Sequence, residues 1–115
     1  MKPTHLPDAL TALANRIVDA GVPATIEAAR VQLPGAFVTI GDLDAAMLAR
    51  GWLTATAKIH LLARDSGQAF ALSQLMEMLE KVQESGLIPT AVEPAALDLP
   101  SVGTVPALTL TVSLE

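Results

Sequence analysis

The sequence predicts an α+β fold in which two amphipathic helices pack on one face of a mainly antiparallel sheet of four to five strands. Three observations support this prediction. Apolar and polar residues alternate over 52–64 and again over 107–114, which is the period of a strand with one buried face. Apolar residues recur at helical spacing over 7–20 and 66–85. The chain has 115 residues, which predicts a single domain, 1–115.

The first helix is predicted from about Pro7 to Ala20. Proline suits the first helical position, and Gly21 suits the position just past the end. Its predicted buried face consists of Leu6, Leu10, Leu13, Ala14 and Ile17.

A strand–turn–strand unit is predicted after this helix. Val31 and Leu33 precede a predicted turn at Pro34-Gly35, and the run 36–40 is rich in β-branched and aromatic residues.

The segment 41–50 has two interpretations. Asp42 could cap a short helix that Gly51 closes, which local propensity favours. Alternatively, the short distance to the next strand favours a hairpin. We favour an extended or irregular connection.

The longest strand is predicted from Trp52 to Arg64, with one apolar and one polar face. The apolar face holds Leu53, Ala55, Ala57, Ile59, Leu61 and Ala63; the other holds Trp52, Thr54, Thr56, Lys58, His60, Leu62 and Arg64.

The second helix is predicted from a cap at Asp65 or Ser66 to about Ser85, and Gly86 ends it. Its predicted buried stripe is Leu72, Leu75, Met76, Leu79 and Val82.

Two strands are predicted in the remaining segment. The first is shorter than the last, and Pro94 and Pro100 confine it to a sheet edge because proline cannot donate a ladder hydrogen bond. The last strand is amphipathic, with Leu108, Leu110, Val112 and Leu114 on one face and Thr109, Thr111 and Ser113 on the other.

The composition argues against several kinds of site. The chain has no cysteine, which excludes thiolate ligands and disulfides. Its net charge is −5 with seven Lys and Arg, too few for binding by phosphate neutralisation. Apolar residues make up 51% and charged residues 17%, so either alanine inflates the apolar count or part of the surface is buried against other subunits.

Catalytic and metal-binding patterns are weak. His5 and His60 have no third ligand at a suitable spacing. Asp42 and Asp44 form a D-x-D pair, but a capping turn explains them better than a metal site. We therefore expect neither an enzyme nor a bound cofactor or metal. Trp52 could lie under a loop, but an exposed tryptophan is also a typical interface anchor.

Several phrases resemble the tail terminator proteins of long-tailed, siphovirus-type bacteriophages. They are "LPGAFVTI" after the first helix, the strand "WLTATAKIHLLA", the helix "RDSGQAFALSQLMEMLEKV" and the closing "GTVPALTLTVSLE". As a pattern of elements and short phrases, the resemblance spans nearly the whole chain.

This resemblance implies a structural virion protein. Tail terminators form a hexameric ring that caps the tail tube and then joins the head-tail connector or stopper protein, while DNA passes through without specific binding. The resemblance implies assembly in the host cytoplasm, a place in the virion neck and no cofactor or membrane. The residues expected to contact a neighbouring subunit, a partner or the lumen are Arg50, Trp52, Lys58, His60 and Arg64.

Three alternatives remain from the sequence. The chain could be another head-tail joining or tail-assembly protein, a small cytoplasmic α+β domain that binds an apolar ligand, or an enzyme that uses scattered carboxylates.

Overall fold

The computed structural model describes residues 1–64, 67–100 and 103–114. Within them the fold is α+β, with two α-helices and a five-stranded mixed sheet. The predicted cap at Asp65 or Ser66 lies outside these residues. The elements are α1 (Leu6–Asp19), β1 (Ala24–Thr25), β2 (Gly35–Asp44), β3 (Thr54–Leu62), α2 (Gln68–Glu84), β4 (Ala91–Leu99) and β5 (Gly103–Leu114).

The strand order is β1-β2-β3-β5-β4. β2, β3, β5 and β4 pair antiparallel, whereas the two-residue strand β1 runs parallel to β2. The sheet is therefore mixed, although antiparallel pairing dominates it. β4 lies at an edge, as Pro94 predicts, because a residue without an N–H is tolerated there.

The predicted strand–turn–strand unit is wrong in its first half. Val31 and Leu33 belong to no strand, and Ala24 and Thr25 pair with β2 instead. Gly35 is the first residue of β2 rather than part of a turn. A Cβ at Gly35 would clash with the backbone carbonyl oxygen of Gln32 and would also lie 3.0 Å from the Pro23 carbonyl oxygen, so glycine is required there.

The segment 41–50 is extended and then irregular. β2 continues to Asp44 across a bulge between Ile40 and Leu43, and a single 3-10 turn follows at Leu48–Arg50. Gly51 has φ of 74°, a left-handed conformation that glycine adopts without strain. The helical interpretation thus holds only for one short turn.

One core cluster joins both helices to alternate residues of the central strands. The strand members include Ala55, Ala57, Ile59, Leu61, Leu108, Leu110 and Val112; the helix members include Leu10, Leu13, Ile17, Ala71, Leu75, Met78 and Val82. These strand residues all belong to the predicted apolar faces.

The buried stripe of α2 differs from the predicted one. Leu72 and Met76 are 52% and 40% exposed, while Ala71 and Met78 are buried. The apolar arc of α2 is wider than its contact with the sheet, and the docking of the helix decides which half of the arc becomes core. Small Ala71 lies on the buried half, and the other half remains exposed.

A second apolar cluster lies on the face predicted to be polar. Leu62 is fully buried there, so the predicted polar face of β3 is apolar at its end. The cluster consists of Leu62, Leu99, Val105 and Ala107, with Val31, Leu33, Phe37 and Leu97 packed against it.

Candidate subunit interface

Polar side chains from three adjacent strands form an open surface on the sheet. His60 pairs directly with Thr109 on β5 and with Phe37 on β2. Its Nε2 lies 3.1 Å from Thr39 Oγ1, and its Nδ1 lies 3.0 Å from Thr109 Oγ1. The imidazole ring also lies 6.1 Å from the Phe37 ring, centroid to centroid. His60 is thus fixed across β2, β3 and β5.

The environment of His60 favours its neutral form. Partial burial lowers the pKa of His60 below its ordinary value of 6.5, and the positive charge of Lys58 lowers it further. Neutral imidazole donates from one nitrogen and accepts at the other, and a threonine hydroxyl can serve either atom. The hydrogen bonds therefore do not require protonation.

Lys58 lies two residues before His60 on this same face and is exposed. It pairs with Thr39 on β2 and Thr111 on β5, so neutral side chains flank it. An exposed cation in a threonine-rich surface can take an acidic or carbonyl partner from another molecule. Lys58 and His60 therefore lie on a face of the sheet that is accessible to another molecule.

Arg50 and Trp52 lie beyond the start of β3 and not on its polar face. Both are exposed, and Trp52 is 53% exposed. Trp52 donates its backbone N–H to the Met47 carbonyl at 3.2 Å, which places it in the turn that joins β2 to β3. Its indole is not tucked under a loop.

Arg64 lies at the opposite end of β3. Its Nε donates to the Leu33 carbonyl at 3.0 Å, so it fastens the loop before β2. The strand from Thr54 to Leu62 spans roughly 26 Å, at about 3.3 Å per residue. The five predicted contact residues therefore form three separate groups: Arg50 with Trp52, Lys58 with His60, and Arg64.

Sequence reasoning missed an apolar surface between α2 and β4. Leu72, Ile88 and Val92 line it and are exposed. The wide apolar arc of α2 was the available signal, because a helix that packs on one surface needs only one stripe. One half of the apolar arc of α2 packs on the sheet, and the exposed half indicates a second contact surface.

The carboxylates of the D-x-D pair are exposed, and Asp44 Oδ1 accepts the Ala46 backbone N–H at 2.9 Å. Asp44 thus makes a local turn, whereas Asp42 belongs to β2 and caps no helix, so the predicted capping turn is wrong for Asp42. Among the described residues, no group of three or more His, Asp or Glu side chains could hold a metal ion. No described helix is long and apolar enough to cross a membrane.

No protein-family model and no curated protein matches the chain.

Proposed function

We propose that the protein is a structural component of a long-tailed bacteriophage that caps the tail tube as a ring and joins the tail to the head connector. The observation that carries assembly is exposed apolar surface in two places: Trp52, in the turn between β2 and β3, is 53% exposed, and Leu72 and Val92, between α2 and β4, are 52% and 45% exposed. Exposed apolar surface of this kind marks a protein contact. The link to a phage tail comes from the resemblance of 33–40, 52–82 and 103–115 to tail terminators.

A cap must bind the end of a tube and then offer no template for another tube subunit. A head-to-tail ring meets this need because its two faces are unlike. In this proposal both helices cover one face of the sheet, and the surface around Lys58 and His60 remains for a neighbour or the lumen. The resemblance implies six subunits.

The proposed partners are the tail tube protein on one side of the ring and the connector or stopper protein on the other. DNA passes through the ring without specific binding, and the net charge of −5 reduces attraction between the ring and phosphates. The proposed role needs no catalysis and no cofactor. The ring assembles in the host cytoplasm and ends in the virion neck.

A second candidate is a small α+β domain that binds an apolar ligand. The hollow between α2 and β4 favours it: its volume is about 340 Å³, and Leu72, Leu75 and Pro94 are among its lining residues. Ligand pockets typically measure about 300 to 1,000 Å³. Electron micrographs of the purified protein separate the candidates, because rings favour the cap and monomers that bind an apolar dye favour the domain.

The decisive experiment removes the gene during infection and images the products. The proposal expects filled heads without tails, beside tubes of irregular length. A plasmid copy of the gene should restore complete virions. Normal virions without the gene, or tails of normal length that lack only fibres, would exclude the proposed function.

A further inference from the structure

The turn between β2 and β3 forms an arm, residues 42–52. All of its residues are exposed. Four of them are large and apolar: Leu43, Met47, Leu48 and Trp52. A polar composition is usual for an exposed turn, and four large apolar side chains on a protruding hairpin indicate a contact.

The second apolar surface is concave and lies between α2 and β4; we name it the groove. One hollow of about 340 Å³ is lined by residues including Leu72, Leu75 and Pro94. A second hollow of about 260 Å³ is lined by residues including Leu79 and Val92. None of the described residues that line the two hollows carries a charge. Such a surface suits apolar anchors, because charged residues are depleted at the centre of interfaces.

The arm cannot fill the groove of its own chain. Val92 pairs with Leu110, and Leu110 pairs with Ile59. Thr54, where the arm joins β3, lies five residues further along the strand, which is roughly 17 Å. The arm continues away from the groove, and the pairing of Asp44 with Thr54 holds it in that direction. A second copy can supply the arm that the groove lacks.

We propose that the arm of one copy inserts into the groove of the next, with Trp52 and Leu48 as the anchors. Arm and groove are different surfaces, so head-to-tail insertion leaves a free arm at one end and a free groove at the other end of any open chain. Closure of this chain gives the ring, and to this extent the inference rests on the proposed function. A symmetric arm-to-arm contact would instead leave every groove uncovered.

Two single variants test the contact. Trp52→Glu damages only the arm, and Val92→Glu damages only the groove. Both positions are about half exposed, so both variants should fold. Val18→Glu is the matched control, because Val18 is 47% exposed, close to the 45% of Val92, and lies on α1. Circular dichroism and thermal unfolding verify the fold, and sedimentation velocity measures the assembly state.

Wild type and Val18→Glu should self-associate, while Trp52→Glu and Val92→Glu should each be monomeric. Mixed together, these two variants should form a 1:1 complex and nothing larger, since the pair has one intact arm and one intact groove that fit each other. The altered arm and the altered groove that remain in this pair both carry an introduced glutamate, and repulsion between the two carboxylates prevents a second contact.

Three results would overturn the inference: a wild type that stays monomeric, variants that assemble like wild type, or a mixture without a 1:1 complex. If wild type forms rings but the mixture gives no 1:1 complex, the proposed arm-to-groove contact is wrong and the proposed ring is retained. Binding of an apolar dye to monomers, lost only in Val92→Glu, would assign the groove to a ligand. The proposed tail function is judged separately, by infection without the gene.

Discussion

Nε2 of His60 lies 3.1 Å from Oγ1 of Thr39, which joins β2 to β3 through side chains as well as backbone. Thr109 on β5 holds the other ring nitrogen at 3.0 Å. The charged groups nearest in the register are Lys58 on the same strand and exposed Glu93, which pairs with Thr109. Burial and Lys58 both disfavour a charged imidazole.

The first prediction concerns pH. The folded-state pKa of His60 is lowered, so the unfolded chain binds the proton more tightly. The stability contribution is complete above the unfolded pKa near 6.5 and is lost as pH falls towards the folded pKa. Urea unfolding at several pH values should show wild type losing more stability below about 6.5 than His60→Gln. Lys58→Met should reduce this loss of stability. If wild type and His60→Gln lose stability in parallel as the pH falls, the prediction is wrong.

The second prediction concerns the core. Ile59 is fully buried at the centre of β3. Ile59→Asp should lower the free energy of unfolding by several kcal/mol or prevent folding, because a buried polar group without partners costs about 2–7 kcal/mol. Ile59→Val should cost only about 1 kcal/mol. An unchanged melting temperature in Ile59→Asp would show that this face of β3 is not core.

The third prediction concerns the bulge in β2. A Cβ at Gly41 would lie 2.6 Å from Thr56 Oγ1 and 3.2 Å from the Thr56 carbonyl oxygen. Gly41→Ala should destabilise by about 1–3 kcal/mol through overpacking. Thr56→Ala removes the hydroxyl that accepts the Asp42 N–H at 2.8 Å and is mildly destabilising alone.

The double variant is the control for this crowding. The double variant should lose less free energy of unfolding than the two single variants lose in sum, because Thr56→Ala removes the hydroxyl that lies nearest to the new Cβ. If the two free-energy changes measured by chemical denaturation simply add, the crowding at position 41 does not come from the Thr56 hydroxyl.

The fourth prediction concerns the open face of the sheet. Lys58 is exposed, so Lys58→Glu should change the free energy of unfolding by no more than about 0.5 kcal/mol. It should nevertheless alter ring assembly or capping of tail tubes, visible in negative-stain images. If assembly is unchanged and binding of a small molecule is lost instead, this face is a ligand site and not an interface.

The fifth prediction concerns the link between the helices. Arg16 Nη2 donates to the Ser85 carbonyl at 2.9 Å, at the C-terminal end of α2. Arg16→Met should cost about 1 kcal/mol, since a cation there also meets the negative end of the helix dipole. Arg30→Met is the control: the Arg30 side chain is 77% exposed in its pair with Glu27 and should contribute little. Equal melting temperatures for wild type and Arg16→Met would refute a stabilising role.

The sequence alone determined the elements whose signal is local. Period-two alternation predicts β3 and β5 with the correct buried faces, because successive side chains of any strand point to opposite sides. Helical spacing and Gly21 likewise predict α1 to within one residue at each end. Pro94 also predicts the edge position of β4, but Pro106 lies in the inner strand β5, so a proline by itself does not fix the place of a strand in the sheet.

Tertiary structure decided what depends on partners distant in sequence. Ala24 and Thr25 form a strand only because β2 lies beside them, and two residues carry no period of their own. Leu72 and Met76 are exposed because the docking of α2 selects half of its apolar arc as core. The grouping of Trp52, Lys58 and Arg64 also depends on where β3 begins and ends. Local pattern states which residues can be buried, whereas packing against non-local neighbours decides which of them are.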